Sequence, residues 1–160
     1  MTAEPNKAAV DYSTITETLL VGTTPASTDY ATLRALKVTL VLNMQVERLP
    51  SRDHAAAPMR TLWLPAFDFP LIPIPIRLLR RGAKAALEVM ASGGSVYAHC
   101  QQGVHRSVAM AAAILIAQGN SATAAMDLIA SRRAVADPYA PHIRRRILKF
   151  AQDWQANGAT

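Results

Sequence analysis

The stretch SVYAHCQQGVHRSVAMAAAILIAQG, residues 95–119, decides the fold. Residues 95–99 form a short, mostly apolar run that is typical of a strand covered on both faces. Residues 107–118 are almost all apolar and end at Gly119, which predicts a helix buried on most sides. A tight loop must connect the two segments. The stretch therefore predicts a buried strand, a loop and a central helix.

The rest of the chain alternates strands and helices in the same way. Further strands are predicted at residues 18–21, 38–42 and 61–64. A short helix carrying Tyr30, Leu33 and Leu36 is predicted, with Ser27 or Thr28 as the cap. Further helices are predicted at residues 76–92, at 121–132 with Ser121 as the cap, and at 141–154. This alternation predicts an α/β fold in a single domain, with a central mixed or parallel sheet of about four to five strands flanked by helices. We expect an N-terminal arm at 1–12, the domain at 13–155 and a tail at 156–160.

The composition limits the classes of function that the chain can have. The chain has 160 residues, of which 51% are hydrophobic and 18% charged, so it can bury its own core. The net charge of +6 comes mostly from arginine, which suits planar oxyanions such as phosphate. Few aromatic residues accompany the basic ones, which argues against nucleic-acid binding. The single cysteine, the lack of a signal sequence and the lack of a long apolar run predict a soluble cytoplasmic protein.

The loop in HCQQGVHRS, residues 99–107, carries the chemistry. Its backbone N–H groups and the positive end of the following helix suit a phosphate group, which we expect residues 101–106 to surround: Gln101, Gln102, Gly103, Val104, His105 and Arg106. Arg106 supplies a two-pronged donor for phosphate oxygens. Cys100 lies at the floor, where these groups favour a nucleophilic thiolate. Ser107 can donate a hydrogen bond to the sulfur.

This loop resembles the HC-x5-R-S signature of the cysteine-dependent protein tyrosine phosphatases, in particular the small dual-specificity branch. The resemblance extends over residues 14–150, although only the loop is highly specific. It implies that Cys100 is the nucleophile, that Arg106 binds phosphate and that Ser107 assists turnover.

The departing oxygen of a phosphate ester needs a proton from an acid. Asp68 is the best candidate, because it lies in the proline-rich loop PAFDFPLIPIP, residues 65–75, after a buried strand. The resembling family keeps its general acid at this place. Asp53 is the fallback, and Glu88 is less suitable because it lies on a helix.

Several other residues have supporting or open roles. His99 is expected to order the loop near the Cys100 carbonyl. Asn43 either ties the phosphate loop to its neighbour, as in the resembling family, or caps a strand. His105 is either a positive charge at the pocket rim or a plain surface residue. The remaining basic residues, which are expected to be mostly solvated, are Arg77, Arg80, Arg81, Lys84, Arg132, Arg133 and residues 144–146.

The leading hypothesis is phosphomonoester hydrolysis through a phosphocysteine, with phosphotyrosine in proteins as substrate and phosphoserine or phosphothreonine as further ones. One alternative is a phosphoinositide, an RNA 5′-phosphate or another non-protein ester. An alternative of another class is a phosphate-binding module without turnover. The chemistry needs no cofactor and no metal, and the sequence leaves the oligomeric state open.

Overall fold

The computed structural model describes residues 10–158, which form a five-stranded sheet with helices on both faces. The strands are β1 (Tyr12–Thr16), β2 (Leu19–Gly22), β3 (Val38–Gln45), β4 (Arg60–Ala66) and β5 (Ser95–His99). The helices are α1 (Tyr30–Ala35), α2 (Ile76–Ala91), α3 (Arg106–Ala117), α4 (Ala122–Arg132) and α5 (Pro141–Asn157). Short 3-10 turns cover Ser27–Asp29 and Pro50–Arg52.

The sheet has the order β1-β2-β5-β3-β4. Only β1 runs antiparallel to its neighbour, while β2, β5, β3 and β4 are parallel. The predicted mixed α/β sheet is confirmed. Because β3, β4 and β5 are parallel, the loops that follow them meet at one edge of the sheet, where α/β proteins place their sites.

The two faces of the sheet are covered unequally. Leu40 and Leu42 of β3 face the large core shared with α2 to α5, whereas Val41 faces a smaller cluster with Leu33 of α1. This alternation follows from the two-residue repeat of a strand. Each face buries apolar side chains, which explains why β3 lacks polar alternation.

Helix α3 lies at the centre of the large core. Eleven of its twelve residues are buried, from Arg106 to Ile116. It packs against α2, α4, α5 and the sheet. The predicted central helix is therefore confirmed, and its first residue belongs to the loop that holds Cys100.

The structure adds one strand and moves several boundaries. Residues 10–12, predicted as the end of an N-terminal arm, are ordered: Val10 is buried and Tyr12 opens β1, while residues 1–9 lie outside the described part. Neither Ser27 nor Thr28 caps α1. Asp29 is the N-cap residue of α1 without a side-chain capping bond, and its carboxylate accepts the Ala26 N–H at 2.7 Å at the start of the preceding 3-10 turn.

At the C-terminus, α5 reaches Asn157, beyond the boundary predicted at residue 155. Ser121 does cap α4, since its hydroxyl accepts the Ala124 N–H at 3.1 Å. Within residues 10–158, no helix is long and apolar enough to cross a membrane.

Candidate active site

The phosphate loop, residues 100–106, connects the end of β5 to the start of α3. Gly103 has φ +66°, a left-handed conformation that glycine adopts without strain. A Cβ atom at Gly103 would lie 2.6 Å from Arg133 Nη2 and 2.9 Å from the Gly22 backbone. Both the conformation and the close approach require glycine here.

Arg133 holds this loop in place through hydrogen bonds on the side that faces β1. It is 2% exposed, and it donates from Nε to the Gly103 carbonyl at 2.8 Å and from Nη2 to the Gln102 carbonyl at 3.0 Å. Its other hydrogen bonds go to Asp11 and Ser13. Arg133 therefore supports the loop. The sequence had indicated a solvated basic residue at this position, and the structure corrects this expectation.

Cys100 and Ser107 lie together under the loop. Both are buried, and Cys100 Sγ is 3.2 Å from Ser107 Oγ. The hydroxyl can therefore donate to a thiolate. Because Ser107 stands in the first turn of the buried helix α3, its position is fixed by the core.

Arg106 is held by Glu47, a residue that the sequence analysis did not single out. Arg106 Nη1 and Nη2 each donate to one Glu47 carboxylate oxygen at 2.8 Å, and Nη1 also donates to the Ala66 carbonyl at 3.0 Å. The guanidinium has five N–H groups, so these three bonds leave two unused. One of them is the buried Nε–H, which has no partner.

The two unused N–H groups of Arg106 lie on one edge of the guanidinium. Both hydrogens of Nη1 are used, as is one of Nη2, which leaves Nε–H and the second Nη2 hydrogen side by side. Such an edge matches two oxygens of a phosphoryl group. The Arg106 hydrogen bond also lowers the pKa of Glu47 to about 2, so this carboxylate stays charged.

His99 supports the loop through a relay and not by direct contact with the Cys100 carbonyl. Its Nδ1 lies 3.1 Å from Gln45 Oε1, which also accepts from Thr24 Oγ1. Thr24 Oγ1 in turn lies 3.3 Å from the Cys100 carbonyl. Burial lowers the pKa of His99 to about 3, so the ring is neutral. Because Gln45 Oε1 can only accept, we assign the single ring hydrogen to Nδ1.

Asn43 does not contact the phosphate loop, contrary to one of its two predicted roles. Its amide donates to the Arg48 carbonyl at 3.0 Å and to Asp53 at 3.4 Å, and its Oδ1 accepts the Gln45 N–H. Asp53, the fallback acid, also receives a bond from Arg48 Nε at 3.2 Å. Both residues therefore stabilise the loop after β3, which places Glu47.

Asp68 lies opposite the phosphate loop and is bound by two histidines. Its Oδ2 is 2.9 Å from His105 Nδ1, and its Oδ1 is 2.9 Å from His142 Nε2. Burial disfavours the carboxylate, but the hydrogen bonds from His142 and His105 outweigh burial and lower the pKa of Asp68. His142 comes from the first turn of α5, and no sequence pattern pointed to it.

A cavity of about 280 Å³ brings these groups together. It is lined by Val46, Glu47, Phe67, Asp68, Cys100, Gln101, Gln102, Val104, His105 and Arg106. All predicted phosphate-loop residues except Gly103 therefore line the same space as Asp68. A larger cavity of about 590 Å³ lies at the opposite end of β3, and none of the predicted site residues lines it.

The basic clusters on the helices have contacts away from this cavity. Arg80 pairs with Asp153 at 2.8 Å and lies over the Trp154 ring. Arg146 donates from Nε to the Ile74 carbonyl at 2.9 Å. Arg106 is the one arginine or lysine among the residues that line the cavity.

Known proteins share this fold. A putative dual specificity phosphatase from mouse, solved with zinc tungstate, is 23% identical, with 99% of this chain and 98% of that chain covered and a TM-score of 0.80. Human DUSP28 is 24% identical, with 96% and 99% covered and a TM-score of 0.80. PTPMT1 is 27% identical, with 93% and 99% covered and a TM-score of 0.80. No curated protein sequence matches the chain significantly.

A cysteine-loop phosphatase is thus the class that fold and site define. The model of the dual specificity phosphatase catalytic domain matches residues 19–152, and the chain belongs to this family. It is a phosphatase of the hydrolase class.

Proposed function

We propose that this phosphatase hydrolyses phosphate monoesters through a phosphocysteine on Cys100. The observation that carries the proposal is that Arg106, with Nε–H and one Nη2 hydrogen unpaired, lines the same cavity as Cys100, whose sulfur lies 3.2 Å from Ser107 Oγ. A phosphoryl group held by Arg106 is then exposed to attack by the thiolate. Donors fixed before the reaction stabilise the charge that develops on the equatorial oxygens.

The reaction has two steps. In the first, the Cys100 thiolate attacks phosphorus, the bond from phosphorus to the ester oxygen breaks, and that oxygen takes a proton from Asp68. In the second, water attacks the phosphocysteine, Asp68 accepts a proton from the water, and the bond between phosphorus and sulfur breaks. Ser107 donates a hydrogen bond to the departing thiolate. Inorganic phosphate then leaves the loop.

The environment of Asp68 favours its role in the second step. Because the pKa of Asp68 is lowered, the carboxylate is mostly ionised at pH 7 and ready to accept a proton from water. The first step needs the protonated acid, whose fraction rises as pH falls. We therefore expect esters with poor leaving groups to be cleaved faster in mildly acidic solution than at pH 7.

Phosphotyrosine in proteins is the proposed substrate, with phosphoserine and phosphothreonine as further ones. The cavity lining offers one arginine, already shared with Glu47, which suits a single phosphoryl group better than a polyanion. Phe67 lines the cavity next to Asp68, and an aromatic side chain there suits the ring of an aryl ester. The single thiol must stay reduced to react, which fits the predicted cytoplasmic location.

A phosphoinositide is the second candidate substrate. PTPMT1 in complex with PI(5)P is 26% identical to this chain, with 91% of this chain and 97% of that chain covered and a TM-score of 0.81. A single monoester on a lipid headgroup satisfies the same Arg106 edge. The comparison of kcat/KM for a phosphotyrosine peptide and for short-chain PI(5)P separates the two candidates.

The mechanism is tested with two aryl phosphates and three variants. Cys100→Ser should lose at least about a thousandfold in kcat on both esters, because the alcohol replaces the thiolate. Asp68→Asn should lose about 100-fold on phenyl phosphate, a poor leaving group, and little on 4-nitrophenyl phosphate in the first step. Asp127→Asn, an exposed carboxylate outside the cavity, is the matched control. Full activity of Cys100→Ser would overturn the mechanism.

A further inference from the structure

Asp68, His105 and His142 form a compact cluster at the mouth of the cavity, and we name it the Asp-His-His cluster. The three residues come from the loop after β4, the phosphate loop and the first turn of α5. One carboxylate oxygen and one ring nitrogen from each histidine lie within 4.8 Å of one another. The proposed reaction uses Asp68, but it gives His142 no task.

The donor set of this cluster fits a particular kind of ion. Two imidazole nitrogens and one carboxylate oxygen suit zinc and other late first-row divalent metals, whereas magnesium and calcium prefer oxygen ligands alone. We propose that the Asp-His-His cluster binds Zn²⁺ and that this binding inhibits the phosphatase. The inhibition rests on the proposed role of Asp68, whereas the binding does not.

The distances allow coordination after small movements. Zinc takes ligands at about 2.0–2.2 Å in a tetrahedral arrangement, so neighbouring ligand atoms stand about 3.3 Å apart. The two contacts of Asp68 are both 2.9 Å, and the ring centroids of His105 and His142 are 5.1 Å apart. The metal takes the place of the hydrogens between the ring nitrogens and Asp68, and each ligating ring then carries its one N–H on the nitrogen that faces away from the metal.

The surroundings support three protein ligands and a water. The side chains of His142, His105 and Asp68 are 17%, 26% and 36% exposed, so they are partly fixed by neighbours and still open to solvent. His105 Nε2, the nitrogen that faces away from Asp68, lies 4.0 Å from the Asp137 carboxylate. A ligating histidine usually donates its far N–H to a carboxylate, and a shift of about 1 Å would bring Asp137 into hydrogen-bond distance.

Zinc at this cluster inhibits the phosphatase because it binds Asp68, the proposed general acid. A carboxylate bound to Zn²⁺ holds a proton much less readily, so coordinated Asp68 can neither give a proton to the departing ester oxygen nor receive one from water. The ion also links the loop after β4 to the phosphate loop, and so fixes the mouth of the cavity. Loss of zinc restores the acid without any covalent change.

Direct binding is the first measurement. Zinc is titrated into the metal-free chain in competition with a chromophoric chelator, for the wild type, Cys100→Ser, His142→Gln and His54→Gln. His54 is exposed and outside the cluster, which makes it the matched control. We expect one zinc per chain for the wild type, Cys100→Ser and His54→Gln. His142→Gln should bind at least about tenfold more weakly.

Cobalt identifies the ligands. Co²⁺ bound to the wild type should show ligand-field absorption without the near-ultraviolet charge-transfer band of a cobalt thiolate. That band, or loss of binding in Cys100→Ser, would place the metal on Cys100 and overturn the proposal. Equal affinity of His142→Gln and the wild type, or no binding by the wild type, would also overturn it.

Inhibition is the second measurement. The zinc concentration that halves the hydrolysis of phenyl phosphate should be at least about tenfold higher for His142→Gln than for the wild type and His54→Gln. Binding at the cluster without inhibition would overturn the regulatory half of the proposal. If the metal-free wild type hydrolyses no phosphate ester, the proposed function fails, while the binding result stands by itself.

Discussion

Replacing Glu47 with Gln tests how the phosphate-binding arginine is held. Glutamine keeps the shape of the side chain but removes the charge that receives two N–H bonds from Arg106. The fall in the pKa of Glu47 from 4.5 to about 2 corresponds to about 3 kcal/mol at about 1.4 kcal/mol per pKa unit. The Glu47 side chain is 46% exposed, so solvent screening reduces the expected loss of folding stability to about 1 kcal/mol.

The catalytic effect should exceed the effect on stability. Without Glu47, Arg106 keeps its bond to the Ala66 carbonyl at 3.0 Å, but its open edge is no longer aimed by two charged contacts. A misplacement of about 1 Å in such a group costs up to about 100-fold. We therefore expect kcat/KM for 4-nitrophenyl phosphate at pH 7 to fall about 10- to 100-fold.

The stability effect has a defined pH dependence. Because the pKa of Glu47 is lower in the folded state, the ion pair stabilises the protein above pH 4.5, and this contribution is lost as pH falls towards 2. Urea unfolding of the wild type and Glu47→Gln should differ at pH 7 and converge near pH 2. Glu88→Gln, an exposed glutamate on α2, is the control. Wild-type kcat/KM in Glu47→Gln would refute the positioning argument.

Three further predictions concern the support of the phosphate loop. Arg133→Met should lose about 2 kcal/mol or more in urea unfolding, because the buried Gly103 carbonyl and the part-buried Gln102 carbonyl lose their donor, whereas exposed Arg132→Met should lose little. Gly103→Ala should lower both the melting temperature and kcat more than Gly119→Ala, which has φ +107° but nothing within 4 Å of the added Cβ. His99→Gln should flatten the loss of stability between pH 6.5 and 3, since the wild type must take up a proton on His99 on unfolding in this range; an unchanged slope would contradict this.

The sequence allowed the phosphate loop to be predicted because its parts are contiguous. Cys100, Arg106 and Ser107 lie within eight residues, so their spacing alone places them around one loop. The position of Asp68 could also be predicted, because it follows β4, an edge strand that runs parallel to β5 with β3 between them. Neighbouring parallel strands deliver their next residues to the same edge of the sheet.

The residues that position this loop could not be predicted in the same way. Glu47 and Arg133 reach it from 59 and 30 positions away along the chain. His142 is 74 positions from Asp68. Nothing in their local sequence distinguishes them from solvated charges, and only the packing of β3, α4 and α5 brings them in.

Strand β1 was missed for a related reason. Its sequence YSTIT alternates poorly, and only Ile15 among its residues is fully buried. An edge strand with one buried position needs few apolar residues, so its composition resembles that of a loop. Asn43 shows a different difficulty. From the sequence, its amide could bind the phosphate loop or cap a strand, and in the structure its acceptors are the Arg48 carbonyl and Asp53 in the loop after β3.

The burial of α3 divides the active site into two parts with different local stability. Cys100, Arg106 and Ser107 are joined to β5 and α3, and the hydrogen-bonded amides in the middle of these two elements should exchange with solvent only when the whole domain opens. Asp68 lies in a segment that exposes Phe67, Phe69 and Leu71, the last at 82%, and its amide should exchange through much smaller openings. The nucleophile therefore belongs to the most protected cooperative unit, while the acid belongs to a segment that can open and close without disturbing it.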